Sequence, residues 1–259
     1  QMKLIILTSQ MKLIEVYKDN LESAIDEIST IIEKYPIIGV DTEFPGAFHD
    51  HQYVAAMSNL LPLTTNVQSY QKFKVNVDNL KLIQLGLSFT NDKGECAATF
   101  QFNLHFDLNN DLNVEKSIDL LRQHNIDFEK IRISGINPVV FSYQIITSGL
   151  LSNPNLTWVF FHGYYDVGYL AKAITLHDLP LSLGEFNLLV SKLFINYVDL
   201  KVALKWESGL MQLMQQYGVE RKGESHQAGS DALATVSIYL KVYKQIPKES
   251  KNIIYDLEE

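Results

Sequence analysis

Residues 37–43 read Ile37-Ile38-Gly39-Val40-Asp41-Thr42-Glu43, an apolar run that ends on two carboxylates. The run is short and rich in β-branched residues, which predicts a buried strand rather than a helix. Side chains two apart on a strand share a face, so Asp41 and Glu43 converge at the strand's end. Carboxylates that close repel unless a cation sits between them, and hard oxygen donors favour Mg2+ or Mn2+. Taken alone, the pair reads more readily as a solvated strand end, where Asp-x-Glu is common and tolerated.

Working outward, Leu21, Ile25, Ile28, Ile32 and Tyr35 step by 4, 3, 4 and 3, which predicts an amphipathic helix ended by Pro36. Leu82 to Thr90 and Ala97 to Leu104 are strand candidates, and Asn91-Asp92-Lys93-Gly94 between them is turn chemistry, so a hairpin is expected beside the first strand. Gly46 to Val75 has no clear period and reads as a long loop. Val114 through Leu151 reads as mostly helical. Trp158-Val159-Phe160-Phe161 predicts another buried strand, and Asp166 to Thr175 a helix entered from it. A short strand or turn around Ile195 to Val198 leads to Asp199, a candidate N-cap. Leu233, Val236, Leu240 and Tyr243 step by 3, 4 and 3, a helix expected to begin near Ser230 or Asp231. Strands interleaved with helices, without a Gly, Pro or Ser-rich linker, predict one α/β domain over residues 1–259. Gln1-Met2-Lys3-Leu4-Ile5 recurs as Gln10-Met11-Lys12-Leu13-Ile14, and residues 1–8 of that span read as an extension with little structural weight.

Composition excludes several classes. With 259 residues, 46% hydrophobic and 20% charged, the chain is neither disordered nor low-complexity and is long enough to bury its own core. Its single cysteine, Cys96, forms no internal bridge, which favours a reducing compartment, cytosolic or nuclear. No apolar run approaches the roughly 18 residues of a membrane span, so no membrane association is expected. A net charge of -8 argues against binding long nucleic acid by phosphate neutralisation. It leaves room for an enzyme that grips a few nucleotides through metal ions.

More acidic residues stand at element ends. Asp166 opens a helix after a very apolar strand, and Asp231 begins the late helix; either carboxylate is also a ready helix cap. His226, five residues before Asp231, is placed to project from a flexible-looking loop over a metal held there. Asp-x-Glu on a first strand, a middle Asp, then His-x-x-x-x-Asp before a late helix is an order that resembles the DEDD superfamily of 3′-to-5′ exonucleases, in the branch whose fifth residue is histidine. Longer segments are similar to the Caf/Pop-type deadenylase, the DEDD nuclease subunit of the Ccr-Not mRNA-decay complex. They are Asp41-Thr42-Glu43-Phe44-Pro45-Gly46, the stretch Asn76 to Leu87, the stretch Phe161 to Leu170, and His226-Gln227-Ala228-Gly229-Ser230-Asp231.

The resemblance implies a ribonuclease H-like fold, a mixed sheet flanked by helices, that removes poly(A) from the 3′ end and releases 5′-AMP. It implies that Asp41, Glu43, Asp166 and Asp231 hold two divalent metal ions, Mg2+ or Mn2+, and that His226 stands near the attacking water. In such two-metal hydrolysis one ion acidifies water while the other stabilises the leaving oxygen. The implied partners are the poly(A) tail of mRNA, a Not-type scaffold and a second deadenylase. Two departures stand out: Gly163-Tyr164 replaces the expected Ser-Gly, and the loop from Gly46 to Tyr70 differs from the family pattern, so substrate contacts there do not transfer.

Phe44 is a candidate either for stacking on the terminal nucleotide or for core packing. Lys205, Arg221 and Lys222 are candidates for phosphate contacts or for solvated surface, and His162 reads as structural. Two alternatives remain: a DEDD exonuclease acting on other RNA or single-stranded DNA, and a catalytically silent scaffold. The latter has no chemical need for the full five-residue set.

Overall fold

The computed structural model describes residues 12–48 and 65–257. The apolar run at residues 37–40 continues through both carboxylates as one strand, β2 (Ile37–Glu43), which is paired on both sides. β2 runs antiparallel to β3 (Gln84–Thr90), and β3 antiparallel to β4 (Cys96–Asn103). Asn91 closes the hairpin turn as expected of its side chain, its Oδ1 accepting from Lys93 N and Glu95 N. On the other flank β5 (Thr157–Phe160) and β6 (Tyr197–Asp199) add in parallel. β1 (Leu13–Val16), which contains the end of the second Gln-Met-Lys-Leu-Ile copy, joins the far edge parallel to β4. The order is β1-β4-β3-β2-β5-β6, and helices cover the sheet, which is the expected ribonuclease H-like mixed arrangement. Residues 1–8 lie outside the described residues.

Alternation along β2 assigns its two faces. Ile38 and Val40 enter the main core with Ile28 of α1 (Leu21–Ile31), Phe141 of α5 (Pro138–Thr147) and Leu170 of α6 (Tyr164–Thr175). Gly39 faces α10 (Ala228–Val242) instead, where an added Cβ would stand 2.2 Å from Ala232 O. Gly86, directly opposite Asp41 in the β2–β3 register, would meet Ala228 O at 1.9 Å. Both glycines answer to close approach, not to backbone angle: α10 lies directly on the sheet only where side chains are absent. That closeness brings the first turn of α10 beside the end of β2.

The stretch read as a loop from Gly46 to Val75 is partly helical, which corrects the sequence expectation. α2 (Thr65–Asn79) buries Tyr70, Phe73 and Val77, with Leu80 just beyond its end, at steps of 3, 4 and 3. Polar residues buried with them obscured that period. Asn76 is fully buried, accepting from Phe48 N and donating to Phe48 O and Lys72 O, and Lys74 pairs with Asp78. Residues 49–64 of that stretch lie outside the described residues. The helical middle is resolved into α3 (Glu115–Gln123), α4 (Phe128–Ser134) and α5, and three further helices, α7 (Leu183–Leu193), α8 (Leu200–Ala203) and α9 (Leu210–Gln216), precede α10. Both functional helices begin earlier than expected, α6 at Tyr164 and α10 at Ala228. Asp166 and Asp231 therefore sit inside first turns and are not caps. Among the described residues no helix is long and apolar enough to cross a membrane.

Candidate active site

The end of β2 collects carboxylates from both faces of the sheet. Asp41 and Glu43, in register with Gly39, point to the α10 side, where Asp231 arrives on the first turn of that helix. Thr42 points the other way, and its Oγ1 donates to Asp166 Oδ1 of α6 at 2.6 Å. Asp166 and Asp231 are each 7% exposed, and Asp41 and Glu43 are half-buried. The side chain between the two strand carboxylates thus ties a third one to the strand end, a role no spacing rule suggested.

Electrostatics follow from that crowding. Burial pushes the Asp41 carboxyl well above its usual range, and the charges of Asp166, Asp231 and Glu43 push it further. Glu43 is pushed up to about 8 by burial, then by Asp231 and Asp166. Burial also raises Asp166 to about 7, against the opposing effect of the Thr42 hydrogen bond. Asp231 has two donors of its own: Arg221 Nη1 bonds its Oδ1, and His226 N donates to its Oδ2 at 2.9 Å. Of the basic candidates, Arg221 thereby reaches the site, and Lys222 contributes its carbonyl to Ser230 Oγ.

His226 enters this cluster from the loop before α10. Glu43, His226 and Asp231 each offer a ligand atom, all within 4.8 Å of one another. Carboxylate oxygens with one imidazole, in a pocket of excess negative charge, fit a hard divalent cation, whose charge would relieve the repulsion among the carboxylates. Asp41 and Asp166 lie outside that three-residue group but interact with it electrostatically. The imidazole is held below the ordinary histidine value by burial, then by His124 and Arg221, with Asp231 opposing.

The loop that carries His226, expected to be flexible, is tied down by amides. Gln227 donates through Nε2 to His124 O at 2.6 Å and accepts through Oε1 from Gln101 Nε2 at 2.7 Å. Gln101 Oε1 accepts in turn from Gly229 N at 2.8 Å. On the other flank, Asp199 is fully buried and gathers four backbone N–H groups: His162 and Lys201 on Oδ1, Gly163 and Tyr255 on Oδ2. This carboxylate caps α8, as expected, and also sets the β5–α6 turn that delivers Asp166. His162 is structural there, at φ 58 with its ring 4.9 Å from that of Tyr255. The departure at Gly163-Tyr164 forms the start of α6, with Tyr164 packed 4.2 Å from Phe73. Phe44 follows β2 half-buried, stacked 4.8 Å from Tyr169 and tilted against Tyr165 at 5.0 Å.

The chain is similar to several known proteins. Residues 16–139 match the CAF1 family ribonuclease. The chain is 38% identical to CCR4-NOT transcription complex subunit 7 of Caenorhabditis elegans, over 96% of this chain and 81% of that protein. It is 36% identical to Poly(A) ribonuclease pop2 of Schizosaccharomyces pombe, over 88% of this chain and 68% of that protein. The structure of S. pombe Pop2p in its Mg2+ and Mn2+ bound form superposes with a TM-score of 0.87 at 34% identity, over 94% of this chain and 99% of that one. A chain from the yeast NOT1 MIF4G domain co-crystallized with CAF1 superposes at 0.76 with 26% identity, over 94% and 96%. With two relatives above a third identical along most of its length, the chain belongs to the CAF1 ribonuclease family.

Proposed function

We propose that this protein is a 3′-to-5′ exoribonuclease that shortens poly(A) and releases 5′-AMP by metal-dependent hydrolysis. The observation that carries the reading is the meeting of Asp41, Glu43, Asp166 and Asp231, from a strand and from helices on opposite faces, beside one imidazole. These carboxylates would hold two divalent ions, Mg2+ or Mn2+, a pairing supported by the metals bound in the Pop2p relative. When bound, such ions polarise the scissile phosphate and ease deprotonation of the attacking water. His226 takes that proton: its lowered pKa keeps the imidazole neutral near pH 7, the form that accepts. Asp231 orients the loop through its bond to His226 N, and the half-buried Phe44, which directly follows Glu43, would stack on the terminal nucleotide. Selectivity for poly(A) is supported by the name of the S. pombe relative, and membership of a CCR4-NOT assembly by that of the C. elegans one. Within it the partners would be a Not-type scaffold, supported by the NOT1–CAF1 neighbour, and a second deadenylase, with the complex acting in the cytoplasm and nucleus.

The test is a side-by-side digestion of A-tailed RNA, other RNA homopolymers and single-stranded DNA in Mg2+ or Mn2+. Rapid loss of the A-tail alone, with 5′-AMP as product and on the order of 10²-fold slower turnover in His226→Ala, is expected. Equal rates on DNA would move the protein to the broader exonuclease class, and activity surviving exhaustive chelation would remove the metals.

Chelated protein gives an independent check. The carboxyls of Glu43 and Asp166 titrate near 8 and 7 when folded, against roughly 4 when unfolded. Between those values the folded state binds the extra protons, so stability declines as pH rises from about 4 to about 8. The melting temperature in chelator is therefore expected to drop across that window, and Mn2+ is expected to restore more of it at pH 8 than at pH 5.5. A flat profile would mean that the carboxyls are not crowded as described.

A further inference from the structure

His124 closes α3, far from the loop before α10 in sequence, yet it touches three consecutive residues of that loop. Its Nδ1 shares a hydrogen bond with Ser225 Oγ at 3.2 Å. Its ring lies 4.5 Å from the His226 ring, tilted by 56°. Its carbonyl accepts Gln227 Nε2 at 2.6 Å. His226 itself sits at φ 55, a left-handed conformation that costs on the order of 1 kcal/mol and persists only where the surroundings enforce it. Gln227 is braced on the sheet side by Gln101 and Gln84. His124 braces the loop on the side of α3, and of these three residues it is the one whose ring also packs against the His226 ring.

We infer that His124 is a positioning residue for His226, fixing the direction of its imidazole over Glu43 and Asp231. The inference rests on the reading of His226 as the proton acceptor. The chemistry favours it over a purely structural role. The bond from Gln227 goes to the backbone carbonyl, so a substitution at residue 124 leaves it in place. What is removed is the Ser225 bond and the ring contact, the two interactions that set side-chain direction. A base misaligned by about 1 Å loses on the order of 10²-fold in rate, although substrate binding elsewhere is untouched.

The experiment is a double-mutant cycle on A-tailed RNA with His124→Ala, His226→Ala and both together, recording kcat, KM and melting temperature. His124→Ala is expected to lower kcat by about 10-fold to 100-fold with KM changed less than about 2-fold. In the His226→Ala background the same substitution is expected to change kcat by less than about 2-fold, because its target is gone. His124→Asn keeps a hydrogen-bonding group for Ser225 and is the second variant if alanine unsettles the loop; it is expected to show the same non-additivity. Equal losses in both backgrounds, or none in either, would overturn the positioning role. A wild-type rate in His226→Ala would overturn the reading of His226 itself, a separate result read directly from that single variant.

Discussion

Replacing Asp41 with asparagine is expected to slow removal of an A-tail by on the order of 10³-fold or more and to raise the melting temperature of the chelated protein. The two effects share one cause. Asp41 carries a crowded carboxyl, raised by burial and pressed by Asp166, Asp231 and Glu43. A metal ligand at that point contributes several kcal/mol to stabilising transition-state charge, and each 1.36 kcal/mol is tenfold in rate, so losing it reaches about three decades. Asparagine keeps the shape and removes the charge, which relieves the repulsion that the folded apoprotein otherwise carries. The gain in melting temperature should be largest at pH 8 and above, where Asp166 is ionised and Glu43 is losing its proton, and should shrink toward pH 5. Near-normal turnover in a well-folded Asp41→Asn protein would remove Asp41 from the metal site, whereas a lower melting temperature in chelator would mean that the carboxyl is held by donors and not opposed by neighbours.

Asp199→Ala is expected to cost about 3–5 kcal/mol of folding stability, the largest loss from a residue outside the carboxylate cluster. The wild-type carboxylate is fully buried and accepts from His162, Gly163, Lys201 and Tyr255. Alanine leaves four N–H groups without their acceptor, each costing about 1–3 kcal/mol where nothing replaces it. Asparagine should recover only part of this: its single carbonyl serves one pair of N–H groups while its NH2 confronts the other pair. Denaturant midpoints for the three proteins check the ranking Asp, Asn, Ala. Because the same contacts shape the turn before Asp166, activity should fall with stability in both variants. A loss below about 1 kcal/mol for alanine would mean that water or a shifted turn satisfies the orphaned donors.

The reading of Ile37 through Glu43 survived folding almost intact because a strand's alternation is a local property: each side chain's face follows from its neighbour's. The hairpin from Gln84 to Asn103 was legible for a similar reason, its turn being closed by Asn91's own side chain. α2 was not, since Asn76 and Lys74 are buried through partners in other residues, Phe48 and Asp78, and hydropathy alone marks such residues as exposed. The limits of α6 and α10 were misjudged by two or three residues because Asp166 and Asp231 resemble caps, and a carboxylate in a first turn has the same local signature as one just before it.

Membership of the five-residue set was carried by order along the chain, and the tertiary structure decided how those residues meet. Asp231 reaches β2 because Gly39 and Gly86 let α10 lie on the sheet; Asp166 arrives from the opposite face because Thr42 points there to receive it. Nothing in the spacing of Asp41 and Thr42 announces that one serves α10's side and the other α6's. The four donors on Asp199, and the approach of His124 to His226 across 102 positions of chain, likewise depend on loops from distant segments closing on the same point. Short-range periodicity writes the elements into the sequence, whereas the distances between them are set by which side chains are small enough, and which polar groups are paired well enough, for the elements to approach.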